Sequence, residues 1–542
     1  MKLDVTYDLC VIGSGPAGII TTLEYAKKNP QKKVVLVEFG THKSEDQNRL
    51  DDSIEIENTV NHHTPYNCTN KGLGGTSLTW GGRCVMYDEI DFLQRDLIGE
   101  NCTWGLEIFK EAKQYMSVTA DYFECGEPIF NTEQIQKFKG ERLSENFVDG
   151  EITASNVERW SMPTRFGARY AQELESLPNL EIVEGFEARD FGEPDNHGEV
   201  QTLDIRRTSD LETFQISALK FVISAGTQES TRLLLRNTRL FKNLPSVPRA
   251  LGKYYQCHLF GKIASIVFKG NPKKTNYGFL RNDDGTYIRR RIQFTTAFLK
   301  KKKLLNTAFY LDNPLYYKPE HKSGAMSFMY LAMTMPWLGN KLAPPAIAYT
   351  ITKGKVSKVR QHIFNVIKDF PGSLIAPATI FYKRYLIKRK LPGIFLYNSK
   401  NRYALYFHSE QVPSTNNKME LGDDGEKLII HYKYSDIDVD SVIAVHEELD
   451  TWLQKHNTGH LEYWYDKKTL SDTIRQISKD GIHQVGTTRM AESPEKGVVD
   501  MNLKLWGTSN IYVCSSSVFP TSGQANPTFL LGLFAARLAT KL

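Results

Sequence analysis

The sequence contains no C-x-x-C pair, and its seven cysteines (Cys10, Cys68, Cys84, Cys102, Cys125, Cys257 and Cys514) are odd in number and scattered over 542 residues. This excludes a disulfide framework, a zinc ribbon and a thioredoxin-type redox site, and it fits a reducing compartment. There is no uninterrupted run of about 20 apolar residues of the kind that crosses a bilayer as a helix. The nearest approach, Ala325 to Leu338, is short and contains Pro336. No charged-then-apolar leader separates Met1-Lys2-Leu3-Asp4 from the strand-like residues that follow, so the expected location is cytoplasmic. No metal site is expected either. His62 and His63 stand beside Pro65 without a carboxylate or cysteine at ligand spacing, and they read as surface or cofactor-loop residues.

What is present is the composition of a packed globular protein, 41% hydrophobic and 24% charged, which rules out disorder. The length suggests about three or four domain-sized units. Charge is unevenly placed. Residues 300–400 hold 18 Lys and Arg against Asp312, Glu320 and Asp369, while the whole chain carries only +6; the remainder is therefore acidic. In this section Lys300 to Lys303 and Lys383-Arg-Tyr-Leu-Ile-Lys-Arg-Lys390 flank stretches rich in Met, Phe, Leu and Tyr. Basic side chains among bulky apolar ones suit peripheral contact with an anionic membrane, which adds the inner membrane face to the expected locations. A solvated rim of a substrate domain and a field attracting an acidic or phosphorylated substrate are the other readings. Nucleic acid is not an expected partner of an otherwise acidic body.

The clearest local signal is near the start. Tyr7 to Ile12 reads as a buried parallel strand. Gly13-Ser14-Gly15-Pro16-Ala17-Gly18 follows, then helical residues to Lys28, then a strand from Val34 to Val37 closed by Glu38. In this G-x-G-x-x-G, Gly13 allows the tight turn, Gly15 lets backbone approach a pyrophosphate, and Gly18 lets helix and strand pack closely. The helix start offers free N–H groups to phosphate. Glu38, about 20 residues on, can accept bonds from an adenosine ribose. The pattern predicts a dinucleotide site without separating NAD from FAD.

Two further segments separate them. Lys71 to Arg83 holds five glycines with Thr76, Ser77 and Thr79, a tight polar loop suited to a flat cofactor. From His483 onwards come HQVGTTRM, a strand at Ile511 to Val513, Phe519 to Thr528 with the sequence FPTSGQANPT, and a helix from Phe529 to Lys541. Together with FVISAGTQESTRLLL (Phe221 to Leu235) and SEQVPSTNNKMEL (Ser409 to Leu421), these segments resemble the glucose–methanol–choline (GMC) family of FAD-dependent oxidoreductases. The layout is closer to pyranose oxidases and bacterial sugar or cholesterol oxidases than to the longer glucose oxidases. The resemblance is good at both ends and weak over roughly 100–180 and 260–400.

The resemblance implies an α/β fold, α+β overall, with a Rossmann-like FAD-binding domain and a second, sheet-based substrate domain. The expected boundaries are 1–99, 180–260 and 475–542 for the FAD domain, and 100–179 and 261–474 for the substrate domain. Expected cofactor contacts are Gly13, Ser14, Gly15, Pro16, Ala17, Gly18, Glu38, Gly75, Thr76, Ser77, Thr79, Ala225, Gly226, Ser515, Ser516, Pro527 and Thr528. The strand-like runs Leu180 to Val183, Val200 to Ile205 and Phe221 to Ile223 are expected in a small sheet flanking the nucleotide fold. There are two departures from the family pattern. Thr79 stands where covalent members carry a flavin-linked histidine, so FAD is expected to be non-covalent. Ser515 stands where an Asp is common, which removes one charge beside the cofactor.

Oxidising an alcohol requires a base for the O–H proton and an acceptor for the C–H hydride; flavin N5 supplies the acceptor. His483 can be the base near neutrality. Asn526 can donate a hydrogen bond to the developing alkoxide but cannot act as a base. By resemblance these two form the His–Asn version of the family's catalytic pair. His258 and His408 are further histidines that could face substrate or lie in the core. The expected substrate is an alcohol on a sugar-like or polyhydroxylated molecule, with lipid linkage open. A membrane-fed long-chain or sterol-like alcohol is the alternative, and a flavin-bearing lyase or a flavoprotein kept for binding are the rivals. Oxidases and dehydrogenases share all these residues, so the electron acceptor is unassigned.

Overall fold

The computed structural model describes residues 5–41, 53–272, 274–335, 337, 351–352 and 356–542. Met1 to Asp4, and Pro336 and Leu338 of the apolar stretch noted above, lie outside the described residues.

The apolar runs at the start of the chain form β1 (Leu9–Ile12), α1 (Pro16–Lys28) and β2 (Val34–Glu38). Every residue of both strands is buried, as in a sheet covered on both faces. Burying each Val, Leu or Ile here contributes about 1.5–3 kcal/mol. The helix starts at Pro16, earlier than the apolar pattern alone suggests, because proline is pre-set for the first helical position. The sheet is completed by β3 (Leu180–Glu184), β4 (Phe221–Ile223) and the strand Ile511–Val513. Spatially the order runs Ile511–Val513, β4, β1, β2, β3, and every pairing is parallel. After β4 the chain enters α2 (Gly226–Arg236).

One expectation is corrected here. β3 and β4 belong to the nucleotide sheet itself, not to a flanking one. A separate four-stranded sheet does exist, built from Thr6–Tyr7, Thr213–Ala218, Thr202–Arg207 and Phe186–Phe191. The alternation of buried and half-exposed residues in Thr202–Arg207 marks a one-sided sheet. By contrast β4 is buried throughout.

A second large sheet has six strands. β5 (Leu259–Phe268), β6 (Thr307–Asp312) and β7 (Arg402–Ser409) lie in it in the order β5, β7, β6, extended by Gly459–Tyr463 on one side and by Ile292–Phe294 and Ile152–Thr153 on the other. Its pairings are antiparallel. The register sets Phe260 opposite His408, Lys262 opposite Tyr406, and Tyr310 opposite Tyr406. Side chains alternate along a strand, so Phe260, Lys262, Tyr310, Asp312, Tyr406 and His408 share one face. Helix Asp436–Lys455 contributes Val439, Val442, Val445 and Leu449 to the core beneath this sheet.

Between β6 and β7 stand α3 (Gly324–Thr334), α4 (Val359–Lys368) and α5 (Gly372–Phe381), with a small apolar cluster of Ala325, Met326, Met329 and Leu396. Among the described residues, no helix is long and apolar enough to cross a membrane. All seven cysteines are buried and unpaired.

Backbone approaches backbone very closely at Gly18. A Cβ there would lie 1.9 Å from the Gly13 carbonyl oxygen. Both atoms belong to backbone held on opposite sides by β1 and α1, so neither can yield. Gly18→Ala is expected to lower the unfolding free energy by about 1–3 kcal/mol, read as a lower Tm by thermal denaturation; a wild-type Tm would contradict this packing.

Candidate functional site

The glycine turn after β1 opens onto a cavity. Of the expected cofactor residues, Gly13, Ser14, Gly15, Glu38, Gly75, Thr76, Ala225 and Gly226 line it together. Pro16, Ala17 and Gly18 form the first turn of α1 behind it. Ser77, Thr79, Ser515, Ser516, Pro527 and Thr528 do not line this cavity. The three glycines divide their tasks as follows. Gly13 has φ +96°, and a Cβ there would come within 2.7 Å of the Ser224 carbonyl oxygen. Gly18 packs on Gly13. Gly15 faces open space, with nothing within 4 Å of its would-be Cβ. The first turn of α1 carries no acidic side chain, and its N-cap has no side-chain partner, so the positive helix end is available to an anion.

Glu38 is more engaged than the sequence suggests. Its carboxylate accepts from the Ser14 backbone N–H at 2.9 Å and the Ser14 hydroxyl at 2.7 Å, and from the backbone N–H groups of Gly40 and Gly72 at 3.0 and 2.8 Å. It ties the glycine turn to the loop that begins at Lys71. Phe39, Lys71, Arg232 and Arg236 also line the cavity, and sequence reasoning missed them. Arg232 and Arg236 are four apart on α2 and so share a face; that spacing was the available signal.

Thr79 accepts a bond from the Asn70 amide at 2.7 Å. Ser515 accepts from the Ser517 N–H, and the Ser516 hydroxyl donates to the Gln484 carbonyl at 2.7 Å. The Ser515–Ser516 turn is thus joined to the segment that carries His483.

A second group lies where the two large sheets meet. His483 and Asn526, 43 positions apart in sequence, are brought together: the Asn526 amide Nδ2 donates to His483 Nε2 at 2.5 Å. On the other side of the ring, His483 Nδ1 donates to Asp480 Oδ2 at 3.0 Å. This pair of contacts fixes the tautomer with the proton on Nδ1 and leaves Nε2 as the bare nitrogen. Both His483 and Asn526 are partly accessible, whereas Asp480 is fully buried. Asp480 also accepts from the backbone N–H groups of His258, Ile482 and His483. Burial alone would raise its pKa, but His483 and His258 beside it hold the carboxyl well below the usual range. Sequence reading missed Asp480; its position three residues before His483 was the signal.

His258 and His408 complete the group. Their rings lie 5.1 and 5.4 Å from that of His483 and 4.2 Å from each other. His408 donates from Nδ1 to the Gln524 carbonyl at 2.5 Å. Burial pushes His258 down, and it pushes His408 well down, with the neighbouring His258 and Arg83 acting the same way. Both rings are therefore neutral near pH 7. The ligand atoms of the three histidines lie within 4.8 Å of one another. A metal there would compete with Asn526 for His483 Nε2. Phe260 stacks on His408 at 5.8 Å and meets His483 edge-on.

Asn526 is held through its neighbours. Gln524 donates to Asp88 at 2.7 Å and accepts from the fully buried Arg291. Asp88 also accepts from Gln293 and Asn306, each at 2.9 Å. Burial pushes Arg291 down to about 10, so it remains charged. The helix Thr528–Lys541 starts two residues after Asn526, which sets its positive end beside the pair.

His62 requires a correction. It is fully buried, with Nε2 2.7 Å from the Tyr255 hydroxyl and Nδ1 2.6 Å from the His63 carbonyl. Burial pushes it down to about 4. It is packed beneath the Asp480 loop, against Gly481, and is neither at the surface nor in the cofactor loop.

Residues 413–535 match the GMC oxidoreductase family model. No curated protein sequence matches the chain. Among solved structures, pyridoxine 4-oxidase from Mesorbium loti aligns with 99% of this chain and 99% of its own, at 14% identity and a TM-score of 0.51. A fungal aryl-alcohol oxidase aligns with 99% of this chain and 98% of its own, at 12% and 0.51. A variant formate oxidase from Aspergillus oryzae RIB40, studied for its FAD modification, aligns with 100% and 98%, at 14% and 0.52. At these identities the structural likenesses show the fold, a Rossmann-like nucleotide domain joined to a sheet-based second domain.

The Asp480 carboxyl yields a test of the site's energetics. Its folded pKa is depressed, so the folded state binds fewer protons than the unfolded one as pH passes through this range. Its stabilisation is present above the ordinary Asp value of about 4 and is lost as pH falls through the folded value. The stability difference between wild type and Asp480→Asn, measured by chemical denaturation, should shrink as pH is lowered below about 4; a difference independent of pH would contradict the assignment.

Proposed function

We propose that this chain, a GMC oxidoreductase in its C-terminal segment and in its fold, is an FAD-dependent enzyme that oxidises a CH–OH group. The observation that carries the reading is the pair of contacts on His483, Asp480 at one ring nitrogen and Asn526 at the other. With Nδ1–H committed to Asp480, the bare Nε2 faces Asn526, so a base and a hydrogen-bond donor converge on one point.

The residues present fit the cofactor. Open space at Gly15 and the uncapped start of α1 suit a pyrophosphate, while Arg232 and Arg236 in the same cavity are paired with Glu229 and with Glu187 and Glu426. Glu38 would take a ribose hydroxyl in exchange for that of Ser14. Gly75, Thr76, Ser77 and Thr79 on one side, and Ser515, Ser516, Pro527 and Thr528 on the other, are assigned to the remainder of the cofactor. Binding would be non-covalent, since Thr79 offers no imidazole. The cofactor domain would comprise 1–99, 180–260 and 475–542. When bound, FAD supplies the two-electron acceptor for the carbon-bound hydrogen, taken as hydride at N5.

The protein's own part is proton management. A substrate hydroxyl entering between His483 and Asn526 would replace their mutual hydrogen bond. Nε2 takes its proton, Asp480 stabilises the resulting imidazolium, and the Asn526 amide donates to the developing alkoxide. Neutral His258 and His408 add no competing positive charge beside that imidazolium. The sugar-like reading of the substrate rests on the family resemblance, because the polar groups around Gln524 are buried and bonded to one another. Retention of the whole His483–Asn526–Asp480 unit argues against a protein kept for binding, and bleaching of the flavin by substrate separates redox chemistry from a lyase.

Anaerobic mixing with an alcohol substrate should bleach the oxidised flavin spectrum. His483→Ala should slow bleaching by about 10²–10⁴-fold with flavin still bound; unchanged bleaching would remove the base assignment. Gly15→Ala, with open space at its Cβ, should keep the wild-type Tm when stripped of flavin and show a reduced flavin-to-protein absorbance ratio on reconstitution. Full flavin content would contradict the pyrophosphate assignment.

A further inference from the structure

Between β6 and β7, α4 buries polar side chains, while α4 and α5 leave large apolar ones exposed. On α4 the buried residues are polar: the Asn365 amide donates to Ser327 at 3.1 Å and to the Pro319 carbonyl at 2.9 Å, and His362 Nδ1 lies 3.0 Å from the Ser327 hydroxyl. Its exposed residues include three large apolar side chains, Ile363 with Phe364 at 65% and Ile367 at 68% exposure, beside the exposed Arg360, Gln361 and Lys368. The next helix, α5, contains no charged side chain, and Ser373 is its one buried residue. Of the 24 large apolar side chains left exposed among the described residues, 13 fall between Met335 and Leu386. A monomeric soluble surface scatters such residues singly; this concentration calls for an apolar neighbour.

Charge identifies the neighbour. Residues 356–390 contain eight Lys and Arg against Asp369 alone. A second copy of the chain would bring the same positive field and be repelled. An anionic bilayer surface offers acyl chains to the apolar side chains and headgroups to the basic ones.

Behind this face lies a cavity of about 860 Å³. Leu374, Pro377 and Phe381 of α5 form part of its wall, with Phe328 and Met329 of α3, so the helix exposed outside is also the cavity's roof. Its floor includes Lys262 and Asp312, which pair with each other at 2.5 Å. These residues lie on the same sheet face as Phe260, Tyr406 and His408. Lys262 is two residues along β5 from Phe260, about 7 Å at the usual strand rise, and Phe260 touches the His408 and His483 rings. Tyr406 bridges the gap, stacked between Phe260 at 6.0 Å and Tyr310 at 4.6 Å.

We infer that α4 and α5 seat the enzyme on an anionic membrane surface, and that the cavity under α5 receives the apolar tail of a lipid-type alcohol whose hydroxyl reaches His483 along the Phe260–Tyr406 wall. The substrate half of this inference rests on the alcohol-oxidising reading above; the docking half does not.

The test uses the intact flavoprotein with phosphatidylcholine vesicles, with and without phosphatidylglycerol. Flotation is expected with the anionic vesicles at low salt and should be lost at high salt. The double variant Phe364→Asp/Ile367→Asp, altered only at exposed positions, should keep the wild-type Tm and bind vesicles at least about tenfold less. It should also lose flavin reduction by a long-chain alcohol carried in vesicles while keeping reduction by a short water-soluble one. Absence of flotation, or a dimer in size-exclusion chromatography that the double variant dissociates, overturns the docking surface. Equal reduction of wild type and variant by the vesicle-borne alcohol overturns the substrate route. If no alcohol of either kind reduces the flavin while flotation persists, the redox reading falls and the docking surface stands.

Discussion

The site depends on one buried carboxylate. Asp480 accepts from three backbone N–H groups and from His483, and its own backbone N–H and carbonyl bond to Asn61 and His63. Three separate parts of the chain therefore converge on it: the loop containing His62, the start of β5 at His258, and the turn that presents His483. A fully buried charge is costly unless its partners are complete; here His258 and the 482–483 turn supply them, while the His62 loop holds the Asp480 backbone in place. The same negative charge that secures the loop also fixes the tautomer of His483, so packing and chemistry share a single requirement.

That arrangement explains which features could be read from sequence. The glycine turn, α1, β2, the strand Ile511–Val513 and α2 follow from local rules: a continuous apolar run, a proline at a helix start, small residues at a turn. The His483–Asn526 pair was legible through its flanking motifs. Asp480 was not, because its role appears only once His258 and Asn61 are alongside, and an acidic residue in a loop is unremarked until it is buried. His62 was misread for the same reason: a histidine beside a proline in a polar stretch gives no hint that Tyr255 and Gly481 enclose it. The membership of β3 and β4 likewise depended on long-range pairing, which short apolar runs do not encode.

The middle of the chain shows the converse. Its composition announced apolar and basic residues together but could not say which would face out. On α4 the answer lies in Ser327, a hydroxyl on α3 that engages both His362 and Asn365. With His362 and Asn365 used for packing, Ile363, Phe364 and Ile367 are left on the outside beside Arg360, Gln361 and Lys368. The exposed apolar face of α4 is thus a consequence of polar packing within, and it continues into α5, whose residues line the neighbouring cavity.

The order of strands in the nucleotide sheet also carries a cost in time. β4 lies between β1 and Ile511–Val513. At usual rates of synthesis the residues from β4 to Ile511 take about a quarter of a minute to a minute to emerge. Throughout that interval β4 has no strand to pair on one side. An open, fully apolar edge is a template for pairing with another nascent chain, and non-local parallel pairing is slow to close. A chain at that stage has its nucleotide turn but not yet the segment bearing His483, Asn526 and the closing strand, and β4 is the edge it leaves open.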